Sequence, residues 1–274
     1  MRKGMLWVLM LTALTLSCGK KYLDKPKDVA PHQVSMVLKG ITKKVGNNVG
    51  GYFAGLPDNY STDSKRYPLL LYIHGGGQFG NGDVDLPNLL SEGIPALLDT
   101  KMFPATITSQ GKVYSFIVLA PQFILYPNNN DIQQFLDYAR STYSIDSSRM
   151  YVTGFSIGGR ITCEYAAEKA ASLAAIVPMA GACTGSVEDK CRNMANYNLP
   201  VWAFHNEQDE FINVYETENF ISTLNRFRPE VPAKVTIFKQ STALLKHDAW
   251  TRATDPSYRE NGMNIYEWML QFKR

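Results

Sequence analysis

The chain has 274 residues, 45% of them hydrophobic and 12% aromatic, with 28 Lys+Arg against 25 Asp+Glu. This composition excludes disorder and collagen-like structure, and the length supplies ample material for a large core. Without Arg2 and Lys3 the formal net charge falls from +3 to +1, which leaves no electrostatic reason to expect nucleic-acid binding.

Arg2 and Lys3 precede an apolar run, Met5 to Leu16. At 12 residues it is shorter than the roughly 18 that a spanning helix needs, and it suits the apolar part of a secretory signal. The run ends Leu14-Thr15-Leu16-Ser17-Cys18-Gly19, which resembles a bacterial lipobox, with Thr15 where Leu is usual. The competing reading is a plain signal peptide cut nearby; both predict export. Residues 1–17 are therefore read as a signal peptide. Residues 18–48 are read as a lipid anchor and tether, rich in Lys20, Lys21, Lys25, Pro26, Lys27 and Pro31, with Cys18 as the attachment point and the sole membrane contact.

Beyond the tether, apolar runs alternate with segments of helical character. The predicted strands are 51–56, 69–73, 116–120, 150–153, 175–179, 201–204 and 235–238, and the predicted helices 132–141, 158–171 and 215–227. Most runs are continuous, as expected of strands covered on both faces. Alternating β and α predicts an α/β fold with a mostly parallel central sheet and helices on both faces. With no Pro/Gly-rich break after residue 50, residues 49–274 read as one domain.

The most informative stretch is Met150-Tyr-Val-Thr-Gly154-Phe155-Ser156-Ile157-Gly158-Gly159. A strand enters Gly-x-Ser-x-Gly and a helix leaves it, the context of a nucleophile elbow. Ser156 then projects from the strand's C-terminal end, and the Ile157 N–H can face an oxyanion. A second donor is expected from Ile73-His74-Gly75-Gly76-Gly77-Gln78, with Gly76 and Gly77 ahead of Gln78. No Gly-Lys-Ser/Thr follows, which argues against a phosphate loop. His74 reads as a histidine that orders this loop.

A base after Ser156 is needed, with an acid between the two. His247 satisfies the first requirement and Asp209, 53 residues after Ser156 and 38 before His247, the second. Glu207 and Glu210 are rivals; a short carboxylate in a turn has less freedom to lose. His205 reads as structural. Cys163 reads as a small buried residue. Cys183 and Cys191 fall in a polar loop, and export permits a disulfide between them. No cysteine or histidine spacing suggests zinc.

At this point the chain resembles the α/β-hydrolase superfamily. More narrowly, it is similar to the exported esterases related to polyhydroxybutyrate depolymerases, feruloyl and acetylxylan esterases and dienelactone-hydrolase-like proteins. The residues that carry the resemblance are His74-Gly-Gly-Gly77, Ala120-Pro-Gln122, Gly154-Phe-Ser-Ile-Gly-Gly159, His205-Asn-Glu-Gln-Asp209 and His247-Asp-Ala-Trp250. Asn206 stands where the group usually has Gly. The resemblance implies a serine hydrolase that cleaves carboxylic esters through an acyl-enzyme, with no metal or organic cofactor, acting on a small-molecule or oligosaccharide ester. The alternatives are a peptidase of the prolyl-oligopeptidase type and a non-catalytic binding protein. Phe79, Phe123, Tyr126, Phe211 and Trp250 are the candidates to line a substrate cleft.

Overall fold

A computed structural model describes residues 34–62, 65–239 and 245–274. The expected signal peptide and Cys18, the expected attachment point, lie outside the described residues. Ten strands and seven helices appear among those described. In chain order they are β1 (Met36–Ile41), β2 (Val49–Pro57), β3 (Tyr67–Ile73), α1 (Gly93–Asp99), β4 (Ile107–Ser109), β5 (Lys112–Tyr114), β6 (Ile117–Phe123) and α2 (Asn129–Thr142). They continue as β7 (Ile145–Phe155), α3 (Ile157–Lys169), β8 (Ala175–Met179), α4 (Val187–Asn196), β9 (Trp202–Asn206), α5 (Val214–Arg226), β10 (Lys234–Phe238), α6 (Trp250–Thr254) and α7 (Ile265–Met269).

Eight strands form one sheet in the order β1-β2-β6-β3-β7-β8-β9-β10; β4 and β5 form a separate hairpin. From β6 to β10 every pairing is parallel, while β2 runs antiparallel to both β1 and β6. The continuous apolar runs are strands buried on both faces: every residue of β3, β6, β8 and β9 is buried. Two apolar clusters follow, one on each face. One packs Leu69, Leu71 and Val152 under α2, α3 and α5; the other packs Leu70, Tyr72 and Tyr151 against Ile94, Trp250 and Tyr266.

Strand β3 sits between β6 and β7, so the chain leaves β3 toward one side of the sheet and returns on the other. In open α/β sheets a crevice forms at the carboxyl ends of the strands where the order reverses. The turns after β3 and β7 meet there.

The chain joins the sheet earlier than the tether reading allowed. β1 pairs with β2 from Met36↔Pro57 to Ile41↔Tyr52, and residues from Val34 onward belong to the compact unit. The reason lies in alternation: Met36 and Leu38 pack on the core while Val37 and Lys39 face out, the pattern of a charged edge strand.

Candidate active site

β7 ends at Phe155 and α3 begins at Ile157, so Ser156 alone makes the turn, with φ 54° and ψ −121°. A side chain rarely adopts positive φ, and such strain persists only where neighbours enforce it. Here Ser156 N–H donates to the Met179 carbonyl of β8 at 2.9 Å. Strand β3 crowds the turn from the other side. A Cβ at Gly154 would stand 2.5 Å from the Ile73 carbonyl oxygen, and one at Gly158 would collide with that same oxygen. Two side-chain-free positions let the strand-to-helix reversal fit between its neighbours.

The structure brings Ser156, His247 and Asp209 together across 91 and 38 residues of chain. Ser156 Oγ lies 2.8 Å from His247 Nε2, and His247 Nδ1 lies 2.6 Å from Asp209 Oδ2. His247 is buried and Ser156 half-buried. The Asp209 side chain is fully buried in the turn after β9. Phe211 and Ile212 donate their N–H groups to Asp209 Oδ1 at 2.8 and 3.0 Å, and His205 Nε2 stands 3.0 Å from Oδ2. Burial alone would raise the carboxyl's pKa; the bonds from His205, His247, Ile212 and Phe211 outweigh it and hold the group ionised, well below the usual carboxylate range. Of the rivals, Glu207 is exposed and Glu210 pairs with Lys246 at 3.6 Å on the surface.

The glycine loop after β3 is a 3₁₀ turn, Gly76–Gln78, packed against the elbow: a Cβ at Gly76 would meet the Ile157 side chain. Buried polar side chains brace it. His74 Nδ1 donates to the Gly75 carbonyl at 2.8 Å, and His74 Nε2 accepts from Phe123 N–H at 3.1 Å. Both bonds are made by one neutral tautomer, and burial lowers the His74 pKa to about 4. Gln78 Nε2 donates to the Asn88 carbonyl at 3.0 Å, and Gln122 Nε2 donates to the Gln78 carbonyl at 3.1 Å. Sequence reasoning left Gln122 without a role and weighed Gln78 only as an oxyanion donor; the signal for Gln122 was an amide near the end of the apolar strand β6, and for Gln78 an amide closing the glycine run.

Aromatic rings frame the site. Phe211 is 70% exposed and lies over His247 with centroids 5.2 Å apart. Trp250 meets His247 edge-on at 5.2 Å and stacks on Phe155. Of the five expected cleft residues, Phe211 and Tyr126 are open to solvent. Phe123 and Trp250 are buried in the core, and half-buried Phe79 packs against it, edge-on to His74 at 5.1 Å. A cavity of about 510 Å³ begins one helical turn beyond Ser156, lined by Tyr126, Asn129, Arg160, Glu164, Thr184 and Lys190. Its charges are paired, Arg160 with Glu216 at 3.5 Å and Lys190 with Glu164. Glu92, at the start of α1, escaped notice in the sequence. Burial, then the nearby Asp248 charge, raises its pKa, while Trp250 and His247 oppose the rise.

The expected Cys183–Cys191 disulfide is absent: Cys163, Cys183 and Cys191 are all free and buried. Only residues 184–186 between Cys183 and Cys191 are irregular, and Cys191 lies within α4. Ser186 precedes α4, with Glu188 and Asp189 in its first turn, where acids favour a helix start. Cys191 thereby faces the core near the Phe220 carbonyl, 3.6 Å away, and Cys183 abuts Cys163 instead; burial raises both thiols' pKa values, that of Cys191 to about 12.

The sheet order, mostly parallel with helices around it, shows the α/β-hydrolase fold. Residues 126–260 match the model of the dienelactone hydrolase family. Over 90 residues, 33% of this chain, the sequence is 28% identical to a bifunctional acetylxylan esterase/xylanase of Neocallimastix patriciarum; the match spans 13% of that protein. Among solved structures, a thermostable esterase superposes with a TM-score of 0.59 at 20% identity, covering 88% of this chain and 64% of that one. The feruloyl esterase module from Clostridium thermocellum, solved with sinapinate, gives 0.53 at 18% identity over 74% of this chain and 81% of its own. Among the described residues, no helix is long and apolar enough to cross a membrane.

Proposed function

We propose that this chain is a serine esterase that cleaves carboxylic esters, the acyl groups of carbohydrates or other small esters, through an acyl-enzyme. One observation carries the reading: the unbroken contact chain Ser156 Oγ–His247 Nε2, 2.8 Å, and His247 Nδ1–Asp209 Oδ2, 2.6 Å, set at a strained elbow. Ser156 attacks the ester carbonyl as His247 Nε2 takes its proton, and Asp209 holds the tautomer whose Nε2 is free to accept. His247 then returns that proton to the departing alkoxide. Water attacks the acyl-serine with His247 again as base.

The oxyanion is assigned to N–H groups that open helices and so lack a partner within them. Ile157 is the first residue of α3, and Gly76 and Gly77 open the 3₁₀ turn. The Gln78 N–H is already spent on the Gly75 carbonyl at 3.2 Å. Paired charges in the cavity beyond Arg160 suit a neutral alcohol portion, and exposed Tyr126 offers a ring face to a sugar. The acetylxylan and feruloyl esterase relatives favour the same substrate class.

Labelling Ser156 with a fluorophosphonate probe, followed by a panel of acetyl, feruloyl and p-nitrophenyl esters beside peptide substrates, tests the reading. Ester turnover that vanishes in Ser156→Ala is expected; peptide turnover without ester turnover would overturn it. Export by residues 1–17 and anchoring through Cys18 belong to the same proposal. Palmitate incorporation that is lost in Cys18→Ala would support them, and unlabelled wild-type protein would reject the anchor.

A further inference from the structure

His205 is the penultimate residue of β9, fully buried, four residues before Asp209. Its Nδ1 lies 2.7 Å from Thr217 Oγ1 on α5, and Thr217 is itself fully buried. Its Nε2 lies 3.0 Å from Asp209 Oδ2 and 3.1 Å from the Ile212 carbonyl. Both groups facing Nε2 are acceptors, so Nε2 carries a proton and donates. Asp209 Oδ2 therefore receives two imidazole N–H groups, one from β9 and one from His247. Its Oδ1 receives two backbone N–H groups. The carboxylate has a donor for each of its four lone-pair directions and nowhere to turn.

We propose that His205 is a positioning residue for the hydrolysis: its Nε2–H fixes the plane of the Asp209 carboxylate, and through it the ring of His247. This rests on the Ser156–His247–Asp209 reading above. A purely structural histidine would satisfy Thr217 and the Ile212 carbonyl and leave catalysis untouched. A carboxylate that has lost one of two donors on Oδ2 can rotate about its Cβ–Cγ bond. Displacements of about 1 Å in such a support cost on the order of 10²-fold in rate.

Three variants separate the readings. In His205→Phe both nitrogens go. In His205→Gln the amide nitrogen stands as many bonds from the backbone as Nε2 and can still donate to Asp209. In His205→Asn the amide reaches only the Nδ1 position, toward Thr217. Steady-state kinetics on p-nitrophenyl acetate and the low-field proton resonance of the His247 Nδ1–H are recorded for each, at a temperature where it is fully folded. His205→Phe and His205→Asn are expected to lose about 10- to 100-fold in kcat, with KM changed less than about threefold, and to shift or lose that resonance. His205→Gln is expected to recover most of the lost kcat and the resonance. If His205→Phe does not fold, the Gln and Asn pair decides alone. Equal kcat in Gln and Asn, or wild-type kcat with an unmoved resonance in Asn, would overturn the proposal. An active Ser156→Ala would instead sink the triad itself, whereas an inert Ser156→Ala beside a fully active His205→Asn would sink only the role of His205.

Discussion

Phe155 and Trp250 stack with ring centroids 4.1 Å apart and planes 28° from parallel. One ring belongs to the last residue before Ser156 and the other lies three residues after His247. Both are 4% exposed. The stack is thus the apolar tie between the two segments whose side chains must meet at 2.8 Å. Trp250→Ala should remove about 3–5 kcal/mol of stability, the usual cost of deleting a buried Trp. It should also lower kcat more than it raises KM, because the loop carrying His247 loses its support. Urea denaturation and kinetics measured well below the melting point check the two effects separately; a stability loss with unchanged kcat would leave the stack a core contact and nothing more.

Backbone strain at Ser156 has its own signature. A non-glycine residue at φ 54°, ψ −121° stores on the order of 1–3 kcal/mol. Glycine relieves it, at about 0.5–1 kcal/mol of extra chain entropy. Both Ser156→Gly and Ser156→Ala should be inert toward esters. Ser156→Gly should be the more stable of the two, by up to about 2 kcal/mol. An Ala variant that melts above the Gly variant would show the elbow to be unstrained.

The cysteines make a direct chemical prediction. Cys163, Cys183 and Cys191 are buried and free, so thiol reagents should find them only after unfolding. Alkylation in denaturant without reductant should add a label to all three. A mass two hydrogens low, with two of the three blocked, would restore the disulfide.

Which parts of this molecule were legible in its sequence follows from what each part packs against. Strands β3, β6, β8 and β9 are covered on both faces and announce themselves as unbroken apolar runs. The elbow was legible because its sterics admit so few residues at 154 and 158. Edge strand β1 was not, since apolar Val37 stands on its outer face and Gly40 breaks its short alternation. The β4–β5 hairpin turns on Gln110-Gly111, both at positive φ, a turn whose residues could have been recognised. The role of His205 could not be read from spacing: which nitrogen meets Asp209 depends on how α5 packs Thr217 against β9.

Asp209 is distinguished from its neighbours by burial and by four donors. In a Ser-His-Asp triad the acid keeps the proton on the histidine Nδ1, and an isosteric amide there costs roughly 10⁴ in kcat by favouring the wrong tautomer. Asp209→Asn should therefore be nearly silent at neutral pH. Glu207→Gln and Glu210→Gln should stay within about a few-fold of wild type, as surface carboxylates do. The three variants assayed side by side on one ester settle the assignment; a dead Glu207→Gln or Glu210→Gln beside an active Asp209→Asn would move the acid.

His74 sets an acid limit on the stability of the glycine loop. Its imidazole is held neutral between the Gly75 carbonyl and the Phe123 N–H, with a pKa lowered from 6.5 to about 4 by burial. In the unfolded chain the ring takes up a proton near pH 6.5; in the folded chain it does so only near pH 4. Between those values the unfolded state binds more protons, so stability falls as pH falls. The slope approaches about 1.4 kcal/mol per pH unit, and the total is about 3 kcal/mol by pH 4. His74→Gln removes the titration while its amide oxygen can still accept from Phe123 N–H. At pH 7.5 the variant should be less stable than wild type, because the Nδ1–H bond to Gly75 is weakened. As pH falls from 6.5 toward 4 the gap should close, since only the wild type pays the protonation penalty. Asp209 titrates below this window in both proteins and cancels from the difference. Urea midpoints at pH 7.5, 6, 5 and 4.2 measure the gap directly. A gap that is constant across the series would mean that His74 takes up its proton at the same pH in the folded and unfolded chains, and a gap that widens would mean that the loop is ordered by a charged ring.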